Sequence, residues 1–392
     1  MKILIMNDFL LEGGAEIYVK NLIKILLNEN HEVRLITFDN DYNSKISNYG
    51  IDNIIIRNIN HSKVDKIRFN KKMYLKLKQY IDEFSPNKII VNNLFASPFT
   101  QYKALEGYDA YQVVHDYHFI CPKSTCIKSN YEICGGYKEN CFKNCKYHKS
   151  KFLLKIKEMQ TKKLENIRKK HIKKFISPSK CLKKYLDNYG YNSVCVNNPI
   201  NMNNLNENFN KKKLTDTRKI TYVGMINEKK GIFKFLEVFR KYKNFNNIEI
   251  EIIGKCSTGK DQEKLESLLN SNIRYLGSKS NLEVIKMLHE SQFMIVPSLW
   301  MENYPTTVLE GMLTGNLILG SNRGGIPNMI SEDKGLQFDI LDMESIFKLL
   351  DRVAQMKQDE YDKIIKKAYE YTTKNNSYDR YYRKLLEVIN YV

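Results

Sequence analysis

Residues 298–330 read SLWMENYPTTVLEGMLTGNLILGSNRGGIPNMI. A small-polar loop ending at Pro305 runs into a helix-like segment over 306–314, then a strand-like segment over 316–320 and a Gly-Gly turn. The short apolar run 292–296 stands just upstream. Strand, loop, helix and strand in that order form a βαβ unit, whose two strands must be parallel. The loop carries Glu302 and the helix carries Glu310. Both lie at the carboxyl end of a strand, the edge where open α/β sheets bind ligands.

The same alternation extends in both directions. Apolar runs at Lys2–Met6, 32–38, 53–57, 88–92 and 110–115 read as strands, with helical patterns at 16–27 and 64–83. The alternation starts again with strands at 219–223, Ile248–Ile253 and 273–276, and helices at 231–242, 261–269 and 282–290. The expectation is α/β: two doubly wound, parallel-sheet, Rossmann-like domains in tandem. The polar, Asn-rich stretch 194–219 marks the joint, giving domains over 1–196 and 197–375 and a C-terminal amphipathic helix over 376–392.

The totals agree with that reading. The chain has 392 residues, 42% of them hydrophobic, enough for two packed cores. No apolar run reaches the ~18–20 residues of a membrane span. The start, MKILIM, reads as a buried strand and not as a signal peptide, which sets a cytoplasmic expectation. The net charge of +19 is uneven: residues 1–200 hold 34 Lys and Arg against 19 Asp and Glu. The densest stripe, 149–184, reads either as a polyanion-attracting face or as a solvated helix face in a Lys- and Asn-rich chain. A nucleic-acid partner is not expected, because the stripe has few aromatics and no recognition motif.

Four further loops can carry chemistry. Gly13 and Gly14 let the backbone approach an anion at a helix N-terminus, without the G-x-G-x-x-G of a dinucleotide site. His115 ends the strand 110–115 and can donate to a hydroxyl or phosphate, with Asp116 to hold it. Lys230 opens a helix, a placement that makes sense if an anion sits there too. Cys126, Cys134, Cys141 and Cys145 form a dense cluster, together with Cys121, His118 and His148, that suits a structural zinc in a reducing compartment. In the stretch 298–330, the N–H groups of Thr306 and Thr307 make an anion cradle. Glu310 can then accept from a ribose diol while Glu302 reaches a sugar ring.

The stretch ENYPTTVLEGMLTG resembles the E-x7-E signature of retaining glycosyltransferases of family 4, whose fold is GT-B. GGAE, HEVRLIT, VVHD, YVG…KKG, SLWMENYP and SNRGGIP follow in that family's order over nearly the whole chain. The segment HDYHFICP with its cysteines is similar to bacterial members linked to capsule, exopolysaccharide or lipopolysaccharide assembly. The resemblance implies two domains facing across a cleft, the N-terminal one for the acceptor and the C-terminal one for the donor. It implies metal-independent transfer from a nucleotide-sugar, UDP-sugar by default, to a glycan or lipid-linked acceptor at the inner face of the membrane. His115 and Glu302 would act on the transferred sugar. Gly13, Gly14, Lys230, Asn303, Tyr304, Pro305, Thr306, Thr307 and Glu310 would bind the donor. No cofactor is implied for catalysis. Two positions depart from the pattern: Met225 stands where the family has an arginine, and Asn328 where it has a glutamate. Arg323 is one candidate to replace the missing charge. The Met225 departure keeps a second reading open, a sugar-binding subunit with little activity, beside a polyanion-binding protein.

Overall fold

The computed structural model describes the chain except residues 11–12, 47–48, 52–53, 122, 137–150, 203–204, 206–211, 244–246, 332 and 391–392; of 151–155 and 157–158 it describes the backbone alone. Two compact units result. One holds Met1–Pro199 with Tyr378–Val392, the other Ile200–Ser377.

The first unit is a seven-stranded parallel sheet: β1 (Lys2–Met6), β2 (Glu32–Thr37), β3 (Ile55–Asn58), β4 (Lys88–Val91), β5 (Ala110–Val113), β6 (Lys174–Ser177) and β7 (Ser193–Cys195). Their order is β3-β2-β1-β4-β5-β6-β7. The helices are α1 (Gly14–Asn28), the short α2 (Tyr42–Lys45), α3 (Lys71–Phe84), α4 (Pro98–Lys103), α5 (Lys151–His171) and α6 (Lys180–Asn188). The second unit is a six-stranded parallel sheet: β8 (Arg218–Val223), β9 (Ile248–Ile253), β10 (Ile273–Tyr275), β11 (Phe293–Val296), β12 (Leu317–Ser321) and β13 (Leu336–Phe338), ordered β10-β9-β8-β11-β12-β13. Its helices are α7 (Ile232–Phe239), α8 (Gly259–Glu266), α9 (Asn281–Glu290), α10 (Thr306–Leu313), α11 (Ile326–Ile330), α12 (Met343–Gln355) and α13 (Gln358–Asn375).

In each sheet the order reverses beside the first strand, at β1/β4 and at β8/β11. Such switch points open a crevice at the carboxyl ends of the strands. The central strands are apolar on both faces, as strands covered by helices on both sides must be: Ile3, Leu4, Ile5 and Met6 are buried, and so are Phe293, Met294 and Ile295. The last helix, α14 (Tyr378–Ile389), belongs to the first unit. Its Tyr381, Leu385 and Ile389 join the core formed by Val19, Leu22 and Leu26 of α1, and Ile389 O accepts from Tyr111 Oη at 2.9 Å.

One expected helix is split. The pattern over 64–83 forms a 3-10 turn, Lys63–Lys66, and then α3. Ser62 and Asp65 cap the turn reciprocally, and Asn70 caps α3 by accepting from Met73 N. Local caps at both places win over continuous propagation, because each satisfies N–H groups that a helix start leaves open. Among the described residues no helix is long and apolar enough to cross a membrane.

Candidate functional site

In the second unit the loops after β8, β11 and β12 converge at the strand ends. After β11 the chain turns through Pro297 and Ser298 into the loop that carries Glu302. Asn227 accepts from Lys230 N at 3.1 Å and fixes the turn Glu228–Lys230. Lys229 O in turn accepts from Leu299 N at 3.0 Å. Gly231 closes the turn at φ +74°, where a Cβ would stand 1.8 Å from Pro297 O. Only glycine meets both demands.

This docking brings Lys230 to Glu302. Lys230 Nζ lies 2.7 Å from Glu302 Oε1, which also accepts from Trp300 Nε1 at 2.6 Å and Ser298 Oγ at 2.8 Å. The ammonium lies 4.9 Å from the Trp300 ring centroid. Burial pushes the Glu302 carboxyl up, but the Lys230 charge and these hydrogen bonds outweigh it and hold it below the usual carboxylate range. Its backbone is gripped as well: Glu302 O accepts from Gly325 N at 2.7 Å, and a Cβ on Gly324 (φ +61°) would lie 1.9 Å from that oxygen. The result is an ionised, nearly buried carboxylate in one fixed pose.

Eight residues on, Glu310 is different. Its carboxylate accepts no hydrogen bond and makes no ion pair with a described residue, and burial alone raises its pKa. It is an acceptor awaiting donors. Thr306 and Thr307 are half-exposed at the first turn of α10, whose open N–H groups face any anion brought to that end. Gly311 lets α10 press on the sheet, since a Cβ there would stand 2.6 Å from Met294 Sδ.

In the first unit, His115 lies just past β5. Its Nε2 is 3.0 Å from Asn92 Oδ1, at the end of β4, and its ring meets Tyr18 of α1 edge-on at 4.8 Å. Tyr18 is hydrogen-bonded to Tyr381 of α14. Burial pushes the His115 pKa down to about 4, so the ring is neutral at physiological pH. With Asn92 Oδ1 as acceptor, His115 carries its proton on Nε2. Asp8, at the end of β1, accepts from Phe95 N, Ala96 N (2.5 Å) and Gln101 Nε2 (2.7 Å), tying the first loop to the loop after β4. Burial raises this carboxyl to about 7.

Two family models match the chain: Glycosyltransferase Family 4 over residues 12–204 and Glycosyl transferases group 1 over 204–371. The chain belongs to glycosyltransferase family 4. A curated relative, the lipopolysaccharide 1,2-N-acetylglucosaminetransferase of Salmonella typhimurium, is 25% identical over 125 residues, 29% of this chain and 33% of that protein. The match thus spans about a third of that relative's length. Among solved structures, Anabaena HepE in complex with UDP and glucose superposes with a TM-score of 0.72 at 12% identity, covering all of both chains. A glycosyltransferase from Rickettsia africae gives 0.70 at 18%, over 99% of this chain and 97% of its own. These likenesses carry the fold, which is GT-B.

Against this family 4 frame, the expected residues divide. Glu302 and Lys230 form one unit with Trp300 and Ser298, two partners that sequence reading missed; both lie within four positions of Glu302. Asn303 and Tyr304 are buried. The Tyr304 ring packs in the core and its hydroxyl accepts from Asn376 Nδ2 at 2.9 Å, so this side chain supports the loop from behind. Pro305 caps α10 without a side-chain hydrogen bond. Asp116 accepts from His118 N at 2.8 Å and pairs with the His118 ring, and its charge acts on His115 as well. Asn92, from the neighbouring strand, meets His115 Nε2, because parallel strands set β4 and β5 ends side by side. Gly13 precedes α1 with Glu16 folded over it: a Cβ there would lie 2.7 Å from Glu16 Oε2. Gly14 is open. Met225 is 56% exposed, its carbonyl held by Tyr222 Oη at 2.7 Å. Arg323 is buried, 4.0 Å from Asp339.

Of the cysteines, Cys126 and Cys134 are buried together with Cys121, their thiols in mutual contact. Cys141 and Cys145 lie outside the described residues. Among the described residues no group of three or more His, Cys, Asp or Glu is placed to hold a metal ion.

Proposed function

We propose that this protein is a retaining glycosyltransferase that moves a sugar from a nucleoside-diphosphate sugar, UDP-sugar foremost, to a glycan on a lipid-linked acceptor in surface-polysaccharide assembly. The observation that carries the reading is the contrast between the two carboxylates of one loop and helix. Glu302 is ionised, buried and locked by Lys230, which suits orienting hydroxyls of the transferred sugar. Glu310 is half-buried with no partner among the described residues, which suits a ribose diol. Lys230 and the first turn of α10 supply positive charge for a departing diphosphate, so leaving-group stabilisation is electrostatic and uses no protein nucleophile or metal. Neutral His115, with Nε2 turned to Asn92, binds the transferred sugar and does not serve as a cation.

The first unit serves the acceptor, and its charge favours attachment to an anionic membrane from the cytoplasmic side. The buried thiols of Cys121, Cys126 and Cys134 take no part in the chemistry. One observation favours a second reading, a nucleotide-sugar-binding subunit of low activity: an exposed Met225 stands where the family places a diphosphate-binding arginine.

Calorimetric titration with UDP and with GDP, without divalent metal, tests the proposal on the wild type and on Glu310→Ala. Micromolar binding of UDP, lost in the variant, is expected. No binding of either nucleotide by the wild type would refute the donor site.

A further inference from the structure

Of the fourteen large apolar side chains exposed among the described residues, five fall between positions 55 and 75: Ile55, Val64, Ile67, Phe69 and Leu75. Chance scatter would not gather them, and floppiness does not explain them. The backbone beneath is held at several points. Asp65 accepts from Ser62 N (2.7 Å), Ser62 Oγ (2.8 Å) and Asn70 Nδ2 (2.9 Å), and Asn70 N donates to Thr100 Oγ1 of α4 (2.9 Å). So the segment between the 3-10 turn and α3 is fixed in a pose that turns Ile67 (58% exposed) and Phe69 (41%) to water. A chain under pressure only to fold would turn them inward, since each buried side chain of this size stabilises by about 1.5–3 kcal/mol.

The charge around these tips is one-signed. Residues 63–78 hold seven Lys and Arg and one acid, Asp65, which is buried and occupied. Lys63, Lys66, Lys71, Lys72 and Lys76 make no ion pair with a described residue. Lys72 and Lys76 also line a hollow of about 560 Å³ beside β3, with Arg57, Asn70, Tyr42 and Tyr80 and no carboxylate. Exposed apolar tips set among unpaired cations are the composition of a segment that lies in a membrane interface: the apolar groups enter the acyl boundary and the lysines meet anionic headgroups.

We propose that the segment 63–76 is the membrane-docking face of this protein, inserting Val64, Ile67, Phe69 and Leu75 into a bilayer that bears anionic lipid. The inference rests on the membrane attachment proposed above and names its surface. It moves the contact from the lysine stripe of α5, which the sequence singles out, to the start of α3.

Flotation of the full chain with vesicles of zwitterionic lipid, alone or with an anionic lipid added, tests it. The wild type is expected to float with the anionic vesicles and not with the zwitterionic ones. Ile67→Asp/Phe69→Asp is expected to lose more than about tenfold in partitioning, because two apolar insertions become repelled charges. Lys71→Gln/Lys72→Gln should lose about fivefold per lysine. Lys162→Gln/Lys163→Gln, on α5, should lose less. Unchanged melting and unchanged UDP binding show each variant folded. If the wild type floats and Ile67→Asp/Phe69→Asp floats equally well, the assigned surface is wrong while attachment stands. Equal flotation with zwitterionic vesicles overturns the anionic-lipid requirement. If the wild type floats with neither, attachment itself fails.

Discussion

Removing the Lys230 ammonium while leaving its shape, as in Lys230→Met, isolates the electrostatic hold on Glu302. The carboxylate side chain is 9% exposed and the lysine 28%. Breaking a fully buried pair by deleting one partner costs about 3–5 kcal/mol, because the remaining charge is stranded. Here Trp300 and Ser298 still donate to the same oxygen, and Lys230 is partly in water, so about 2–3 kcal/mol is expected at neutral pH. The pH dependence should change sign. In the wild type the Glu302 pKa is lowered by folding, so its contribution is present above the unfolded value and is lost as pH falls through the folded value. In Lys230→Met burial is no longer outweighed, the folded pKa rises above the unfolded one, and the deficit shrinks as the medium is acidified. Trp300 is the only tryptophan of the chain and donates to Glu302, so its fluorescence during denaturant unfolding reports this site. Lys230→Met/Glu302→Gln should recover most of the loss. A deficit equal at neutral and acidic pH, with no recovery in the double variant, would refute the argument that a stranded carboxylate is the cause.

Gly231→Ala should unfasten the turn Glu228–Lys230, since its Cβ would collide with Pro297 O at a positive φ; a fall of more than about 2 kcal/mol in the same fluorescence transition, with loss of UDP binding by calorimetry, checks it. Met225→Arg sits on an exposed position whose backbone is already fixed by Tyr222, so melting should move by no more than the equivalent of about 0.5 kcal/mol; tighter UDP binding and a faster transfer rate are expected. His115 has its pKa lowered to about 4 by folding, so the unfolded chain binds the extra proton first and the stability it contributes falls as pH drops from about 6.5 towards 4. His115→Asn should flatten that part of the stability-pH curve of the first unit, and transfer rates between pH 5 and 8 should show no limb from this ring.

Much of this molecule is legible along the chain because its signals are local. Central parallel strands are apolar on both faces, so KILIM, IEIEII and FMIV announce themselves, and each βα loop then falls at the sheet edge that binds ligands. Glu302 and Lys230 lie in such loops, and Glu310 in the helix that one of them opens. The edge strands β7 and β13, of three residues each, carry too short a pattern to be read, and β6 hides behind a lysine-rich helix. The break in 64–83 is local as well: the caps Ser62, Asp65 and Asn70 interrupt an apolar period that runs on through them.

What the chain alone could not determine is which neighbours share a charge or a proton. Asp116 adjoins His115 in sequence, yet past the end of β5 its carboxylate accepts from His118 N and pairs with the His118 ring, while His115 Nε2 meets Asn92, 23 positions away. Lys230 and Glu302 are 72 positions apart and became one partly buried ion pair only because β8 and β11 are adjacent in the sheet and Gly231 lets their loops touch. Tyr381 reached Tyr18 because α14 packs on the first sheet. Residue types and strand-end positions follow from sequence, since they depend on local period and sheet chemistry. Partnerships follow from strand order and the close approach of loops, which only the packed structure sets.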